Sequence, residues 1–229
     1  MRHRFLAVER VLEAAELLGD LAQEVVFTGG ASVGLLITDP AVPAVRPTLD
    51  IDVIVEVASL AEYYRLQERL RAKGFTESME DEVICRWRHG SIILDVMPTD
   101  ERILGFANRW YAEAVRNARK MTISGVNLQL ATSPYFLGTK LEAFRGRGKQ
   151  DFMSSHDMED IVAVLDGRPE IVADIRQAKS DIRAYLVAEL GRLLANRDFL
   201  DALPGHLPGD SASQQRVPII LERVRRIVG

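Results

Sequence analysis

The sequence predicts a protein of the α/β (α+β) class, in which a mixed sheet with flanking helices is followed by a helical C-terminal part. Up to residue 132, short apolar runs with strand character alternate with amphipathic helical patterns. Two pairs of these runs flank His89-Gly90 and Ser124-Gly125, which predicts two β-hairpins. From residue 133 onwards, apolar residues recur at helical spacing. We therefore expect an α/β core over residues 1–132 and a helical subdomain over residues 133–229 that completes a cleft.

Local signals place the elements in order along the chain. Caps, turn residues and apolar periodicity together set their ends. The predicted elements are helix 5–18, strand 25–27, a helical start at Ala31, strand 50–55, helix 59–73, strands 83–88 and 91–97, a hairpin about 124–125, a helix beginning with Ser133 and Pro134, a helix after Ser154 or Ser155, a helical stretch 170–203 and a last helix 217–228.

Composition and charge exclude several classes of protein. The N-terminal helix carries Glu9, Glu13 and Glu16, so it predicts neither a signal peptide nor a membrane span. The single cysteine, Cys85, has no partner for a disulfide and no zinc-ligand spacing, which predicts a buried structural thiol and a cytoplasmic location. A net charge of −4 argues against a protein that coats nucleic acid, but it leaves room for a local basic groove.

The segment from residue 25 to residue 55 carries the main chemical signal. Asp50 and Asp52 are separated by one residue on a predicted strand, so their side chains point to the same face. Such carboxylates are costly to bury unless a cation compensates them, and Mg²⁺ (or Mn²⁺) prefers oxygen ligands of this kind. The Gly29-Gly30 turn upstream would let backbone N–H groups approach a phosphate. Phosphoryl chemistry is the first hypothesis, and an edge strand with two solvated aspartates is the alternative.

This segment resembles the signature of the polymerase-beta-like nucleotidyltransferase superfamily, in which a Gly-Gly or Gly-Ser turn precedes Asp-x-Asp on the next strand. The run from Arg46 to Asp52 is similar to the toxin nucleotidyltransferases of the AbiEii/AbiGii type, where an arginine and a hydroxyl residue precede the acidic pair. The chain departs from the pattern because its serine, Ser32, comes two residues after Gly30. The resemblance implies that Gly29, Gly30, Ser32 and Arg46 bind the nucleotide.

Asp95 stands alone in the apolar run SIILDVMP, just before Pro98. The resemblance implies that Asp95 is the third carboxylate of the site, which completes the metal ligands and helps to deprotonate the attacking hydroxyl. The alternative is an aspartate that caps the turn after the strand.

Three further features fall in the order that the superfamily shows. Lys140, in Lys140-Leu-Glu-Ala143, resembles the lysine that offers its charge to the triphosphate; the alternative is an exposed helical lysine. The basic segment 145–149 would bind a polynucleotide backbone or the triphosphate, or is simply solvated. Asp157 and Asp160 share a helix face, and the resemblance implies that Asp160 faces the active site near Lys140, as its orienting partner or as a base.

The resemblance implies an enzyme that uses a nucleoside triphosphate (NTP) as substrate and releases pyrophosphate. Asp50, Asp52 and Asp95 would bind Mg²⁺, and a nucleoside monophosphate would pass to an acceptor hydroxyl. An RNA end, most naturally that of tRNA, or a protein hydroxyl is the expected acceptor, and a cognate antitoxin the expected partner. Two alternatives stay open: transfer to a small molecule of the aminoglycoside type, and a protein of the same fold that binds nucleotide or a partner without turnover. No membrane partner is expected.

Overall fold

The computed structural model describes residues 2–42, 46–77, 83–148 and 150–229, with residues 2–6 described as backbone only. The described residues divide into two compact units. The sheet unit comprises residues 4–32 and 47–132, and the helical unit comprises residues 2–3, 33–46 and 133–229. The sequence also predicts a boundary between two functional domains, with one domain ending at residue 132 and the other beginning at residue 133. This boundary stays a prediction.

The described part of the sheet unit forms one six-stranded mixed sheet, as the sequence predicts. Its strands are β1 Val25–Thr28, β2 Asp50–Val55, β3 Arg86–His89, β4 Ile92–Pro98, β5 Arg119–Ile123 and β6 Val126–Leu130. The spatial order is β3-β4-β2-β1-β6-β5. The β1–β6 and β2–β4 pairs are parallel, whereas β1–β2, β3–β4 and β5–β6 are antiparallel.

Helices flank the sheet and make up the helical unit. The α-helices are α1 Arg2–Leu18, α2 Gly29–Leu36, α3 Leu60–Ala72, α4 Glu101–Leu104, α5 Tyr111–Arg116, α6 Ser133–Arg147, α7 His156–Gly167, α8 Ile171–Gln177, α9 Ser180–Ala195, α10 Arg197–Ala202, α11 Ser211–Gln214 and α12 Val217–Val228. Short 3₁₀ helices span Gly19–Gln23 and Leu203–His206. Within the described ranges, no helix has both the length and the apolarity that crossing a membrane requires.

The central strands hold the core of the sheet unit. All four residues of β1 are buried, and Ile51, Val53 and Ile54 of β2 are inaccessible to solvent. Strands covered on both faces read as continuous apolar runs, which is the pattern that predicts β1. Burying one such side chain contributes about 1.5–3 kcal/mol to stability. The two aspartates of β2 are therefore held on a rigid strand.

The two hairpins are present, but one turn is displaced by one residue from its prediction. Ser124 and Gly125 both have positive φ, 51° and 85°, as a type I′ turn requires. In the first hairpin the loop is Gly90-Ser91 instead of His89-Gly90, because His89 pairs with Ile92. Strand β3 also begins later than residue 83.

A turn explains the late start of β3. The carbonyl of Val83 accepts a hydrogen bond from the N–H of Arg86. This turn takes Val83 and Ile84 out of the ladder and leaves both side chains exposed. The ladder with β4 begins at Arg86, and the carbonyl of Cys85 just before it still accepts a hydrogen bond from the N–H of Val96.

The helical stretch predicted over residues 170–203 is three helices, α8, α9 and α10. Ala178 has extended backbone angles and separates α8 from α9. Asn196 separates α9 from α10, because its side chain accepts hydrogen bonds from the N–H groups of Asp198 and Phe199 and so caps the new helix. The apolar residues that recur at helical spacing in this stretch are nevertheless buried: Ile171, Ile175, Ile182, Leu186, Leu190 and Leu193. Helix α12 has the predicted bounds.

Candidate active site

The strand register places the three predicted metal-binding aspartates on one face of the sheet. Asp52 pairs with Asp95 across the parallel β2–β4 ladder, and Asp50 is two residues before Asp52. The same row continues to Thr28 on β1 and to Arg86 on β3. Residues paired directly across a ladder point to the same side. A polar row therefore crosses four neighbouring strands.

Arg86 binds two of these carboxylates. Its Nε lies 2.8 Å from Oδ1 of Asp95, and its Nη2 lies 2.7 Å from Oδ2 of the same residue. Nη2 also lies 3.3 Å from Oδ2 of Asp50. The two parallel bonds to Asp95 form the bidentate arrangement that gives arginine–carboxylate pairs their strength and geometry. Arg86 is a site residue that the sequence analysis missed.

Asp95 does not cap the turn after its strand. It is nearly buried, and both of its oxygens accept from Arg86. Asp100 is the capping residue there, because its side chain accepts from the N–H of Arg102 at the start of α4. The capping alternative for Asp95 is therefore wrong.

Thr48 fixes the orientation of Asp50. Its hydroxyl donates a hydrogen bond of 2.6 Å to Oδ1 of Asp50. Asp50 is thus held by Thr48 through one oxygen and by Arg86 through the other. Thr48 is the hydroxyl residue that precedes the acidic pair in the predicted signature.

Gly29 leaves the space that the Asp52 carboxylate occupies. Its φ is +70°, and a Cβ on this residue would lie 1.7 Å from Oδ2 of Asp52. Any other residue would clash with the carboxylate and would also strain the backbone. The closeness of Asp52 therefore explains why residue 29 is a glycine. Its role in admitting a phosphate stays a separate prediction.

The first turn of α2 contains Gly30 and Ser32, both buried. The Ser32 hydroxyl donates a hydrogen bond of 2.7 Å to the carbonyl of Thr28. In this structure Ser32 therefore stabilises the strand-to-helix turn and does not expose its hydroxyl to a ligand. Its binding of nucleotide stays a prediction.

Cys85 is buried next to this site, as predicted for a structural thiol. Burial and the nearby carboxylates of Asp95 and Asp52 raise the pKa of the Cys85 thiol to about 12. The thiol is therefore neutral at physiological pH and gives the site no nucleophile.

In the helical unit, Lys140 on α6 lies between two aspartates of α7. Its Nζ is 3.1 Å from Oδ1 of Asp157 and 2.7 Å from Oδ2 of Asp160. The contact with Asp160 is an ion pair, and Oδ2 of Asp160 has no hydrogen-bond partner among the described residues. All three side chains are largely buried. Lys140 is not an exposed helical lysine, and the structure brings it together with Asp160.

Two arginines complete this ionic cluster. Arg46 lies 3.4 Å from Glu159 and 3.6 Å from Asp160, and Arg147 donates two bonds of 3.0 Å to Asp157. Arg46 thus contacts acidic side chains of α7. Its predicted binding of the triphosphate stays a prediction.

The pKa of Asp157 reflects competition between burial and its cationic partners. Burial acts to raise this pKa, but the hydrogen bonds from Arg147 and the charge of Lys140 outweigh burial and bring it below its ordinary value of 3.8. Asp157 is therefore ionised at neutral pH.

The described part of the basic segment 145–149 is paired with acidic side chains. Arg145 lies 3.2 Å from Glu189, and Arg147 binds Asp157. Lys149 lies outside the described residues. Arg145 and Arg147 are nonetheless 51% and 73% exposed, so both are accessible to a larger ligand.

The predicted metal ligands have suitable chemistry, but their arrangement here is that of an ion-paired site. Over the residues that the structure describes, no three His, Cys, Asp or Glu side chains are arranged to hold a metal ion. Arg86 instead bonds both oxygens of Asp95 and one oxygen of Asp50. The buried Thr28 hydroxyl, in register with Asp52, has no hydrogen-bond partner. The fit is one of chemistry and not of arrangement: carboxylates are the oxygen donors that a divalent cation prefers, and an unsatisfied hydroxyl can bond a phosphate oxygen.

The comparisons with known proteins support the fold. No family model and no curated protein matches the chain. Among solved structures, the chain is similar to the crystal structure of an antigenic nucleotidyltransferase-like protein from Paracoccidioides brasiliensis. The TM-score is 0.52 at 19% sequence identity, and the match covers 90% of this chain and 95% of that one. The protein therefore has a nucleotidyltransferase-like fold.

Proposed function

We propose that this protein is a metal-dependent nucleotidyltransferase, which transfers a nucleoside monophosphate from an NTP to an acceptor hydroxyl. The observation that carries the proposal is the position of Asp50, Asp52 and Asp95 on one face of adjacent strands. Gly29 lies against Asp52 in the same site. A fold of the nucleotidyltransferase type supports this assignment.

Asp50, Asp52 and Asp95 are the residues that would hold Mg²⁺. When bound there, the ion would polarise the phosphoryl oxygens and offset the negative charge that develops on them during transfer. The protein's own contribution is a set of carboxylates that the sheet holds in register, with Thr48 fixing one oxygen of Asp50.

The start of α2 is the proposed phosphate contact. N–H groups in the first turn of a helix have no intrahelical acceptor, and the helix dipole favours an anion beside them. Gly30 carries no side chain that would keep a phosphate away from this backbone, whereas the side-chain space of Gly29 holds the Asp52 carboxylate, so a phosphate would approach Gly29 from another side. In this proposal, Lys140 and Arg46 contact the triphosphate. Asp160, whose Oδ2 lies 2.7 Å from Nζ of Lys140, orients the ammonium group.

Asp95 is the proposed base for the acceptor. A carboxylate beside the transferred phosphate would accept the proton of the attacking hydroxyl while pyrophosphate leaves. Asp95 currently gives both oxygens to Arg86, so it would act once that pair has opened.

We assign an RNA, with tRNA first, or a protein hydroxyl as the acceptor, and a role as the toxin of a toxin–antitoxin or abortive-infection system. The resemblance in the run from Arg46 to Asp52 supports this assignment. Exposed Arg145 and Arg147 on α6 offer positive charge for a phosphate backbone. An aminoglycoside is the competing acceptor.

The test is nucleotide transfer by the purified protein. We would incubate it with each radiolabelled NTP, Mg²⁺ and total cellular RNA, beside the Asp50→Ala/Asp52→Ala variant. Label on RNA that requires both aspartates supports the proposal and identifies the nucleotide. Label on protein or on an aminoglycoside would change the acceptor alone. No label on any of the three would contradict the proposed transfer.

A second candidate is a protein that binds nucleotide without turnover. The ion pairs favour this second candidate, because they occupy groups that transfer would need. Arg86 neutralises Asp95, and Asp157 and Asp160 surround Lys140. Equilibrium binding of NTP with and without Mg²⁺ separates the two functions. Tight binding with no transfer would favour the second candidate.

A further inference from the structure

We propose that Arg86 serves as an internal cation, which neutralises Asp95 and Asp50 and must leave before a divalent metal ion can bind there. The inference rests on the proposed function, because it assumes that these carboxylates are metal ligands. It adds that the affinity of the free protein for the metal ion is low, and that one side chain, Arg86, lowers it.

The contacts of Arg86 place its positive charge where a metal ion would be needed. Its guanidinium bridges β4 and β2, with Nε and Nη2 bonded to Asp95 and Nη2 within 3.3 Å of Asp50. An ion bound by the same two carboxylates would lie close to this charge and be repelled by it. Arg86 and the metal ion therefore compete for the same ligands.

Burial makes this competition effective. The side chain of Arg86 is 18% exposed and that of Asp95 only 9%. Charges that are partly removed from water interact more strongly than surface pairs and are less screened by salt. Arg86 also keeps Asp95 compensated while no metal ion is bound.

Arg86 has a route out of the site that does not require the sheet to move. Strand β3 is at the end of the sheet order, and Thr76 bridges its outer side at Arg88, two residues beyond Arg86. Rotation about the side-chain bonds of arginine carries the guanidinium by several ångströms without breaking strand pairing. Opening the pair frees both oxygens of Asp95.

The experiment measures binding of Mn²⁺ alone to the full chain, with no nucleotide present. Electron paramagnetic resonance follows the free Mn²⁺ signal during a titration. We expect Arg86→Gln to lower the Kd for Mn²⁺ about tenfold or more, because it removes a positive charge that would repel the ion from a few ångströms away. Arg86→Lys keeps the charge but loses the bidentate pair, so we expect a smaller decrease. This variant still tests the inference if the glutamine variant does not fold.

Arg88→Gln is the matched control. Arg88 lies on the same face of β3, two residues away, and pairs with Ile93, which separates it from Asp50 in the next strand. Its removal takes the same charge from the same strand without opening Asp95. We expect a clearly smaller decrease in its Kd than in Arg86→Gln, because the pair of Arg86 with Asp95 stays in place.

The outcomes separate the inference from the proposed function. An unchanged or weaker affinity in Arg86→Gln, or equal tightening in Arg88→Gln, would overturn the inference. If the wild type nevertheless transfers nucleotide, the proposed function stands. If no variant binds Mn²⁺, or if Asp52→Asn binds it as well as the wild type does, both are overturned.

Discussion

Gly29 and Asp52 are so close that residue 29 has room for a hydrogen atom only: a Cβ there would lie 1.7 Å from Oδ2 of Asp52. Gly29 follows β1 directly, and it meets Asp52 of β2 because Thr28, the last residue of β1, pairs with Asp52 in the antiparallel ladder. The turn and the carboxylate therefore depend on each other.

We predict that Gly29→Ala strongly destabilises the fold. An L-residue in this left-handed conformation costs about 1–2 kcal/mol, and the overlap with Asp52 adds about 1–3 kcal/mol. Urea denaturation would measure the loss. Gly90→Ala is the matched control, because Gly90 also has positive φ, +56°, but a Cβ there meets nothing within 4 Å. Equal losses in the two variants would show that the clash with Asp52 is not important.

The sequence predicts this part of the fold well because its signals are local. Period-two spacing places Asp50 and Asp52 on one face, and the apolar run of β1 indicates a strand covered on both sides. Positive-φ residues at Ser124 and Gly125 suit the hairpin that their identities predict.

Arg86 shows where local signals fail. The predicted His89-Gly90 loop would place residue 84 opposite Asp95, whereas the observed Gly90-Ser91 loop places Arg86 there. A loop displaced by one residue shifts hairpin pairing by two, so the face is unchanged but the partner differs. Glycine suits either loop position, so the sequence alone did not select the register.

The ionic cluster around Lys140 in the helical unit also could be predicted only in part. Motif order predicts that Asp160 lies near Lys140, and the structure brings them together. The additional pairing of Asp157 with Arg147 depends on how α6 and α7 pack. Helical spacing within one segment does not predict a contact between segments.

We predict that Lys140→Met destabilises the helical unit by about 3–5 kcal/mol, because removing one member leaves buried carboxylates without their central cation. Arg147 and Arg46 would still contact Asp157 and Asp160, which sets the loss towards the lower end. The free energy of unfolding from urea titration checks this.

Arg145→Met is the control for the lysine variant. Arg145 is half-exposed, and Arg192 also pairs with its partner Glu189. Its loss is expected to cost about 1 kcal/mol or less, as for exposed ion pairs. A Lys140→Met cost as small as the control's would mean that the buried cluster adds no net stability.

Asp157 makes the stability of the protein depend on pH. Its pKa in the folded protein lies below the ordinary 3.8, so its contribution is present above that value and is lost as the pH falls through the lowered folded pKa. We expect Asp157→Asn to be less stable than the wild type by about 1.5–3 kcal/mol at pH 7, the range for hydrogen bonds to charged groups.

The difference between Asp157→Asn and the wild type should shrink as the pH falls below the ordinary value, because a protonated aspartate resembles asparagine in charge. Denaturation series at several pH values would measure the difference in unfolding free energy. A difference that stays constant down to acid pH would contradict the assigned ion pairs.

Thr48 is expected to support metal binding through Asp50. Its hydroxyl donates a hydrogen bond of 2.6 Å to Oδ1 of Asp50. Thr48→Val removes this donor while keeping the shape of the side chain. Mutation of a residue that hydrogen-bonds a metal ligand typically lowers metal affinity or activity by about 10–100-fold. We therefore expect Mn²⁺ affinity and nucleotide transfer to fall in that range in Thr48→Val and to be largely retained in Thr48→Ser, which keeps the hydroxyl. Equal losses in both variants would indicate that the methyl group, and not the hydrogen bond, supports the site.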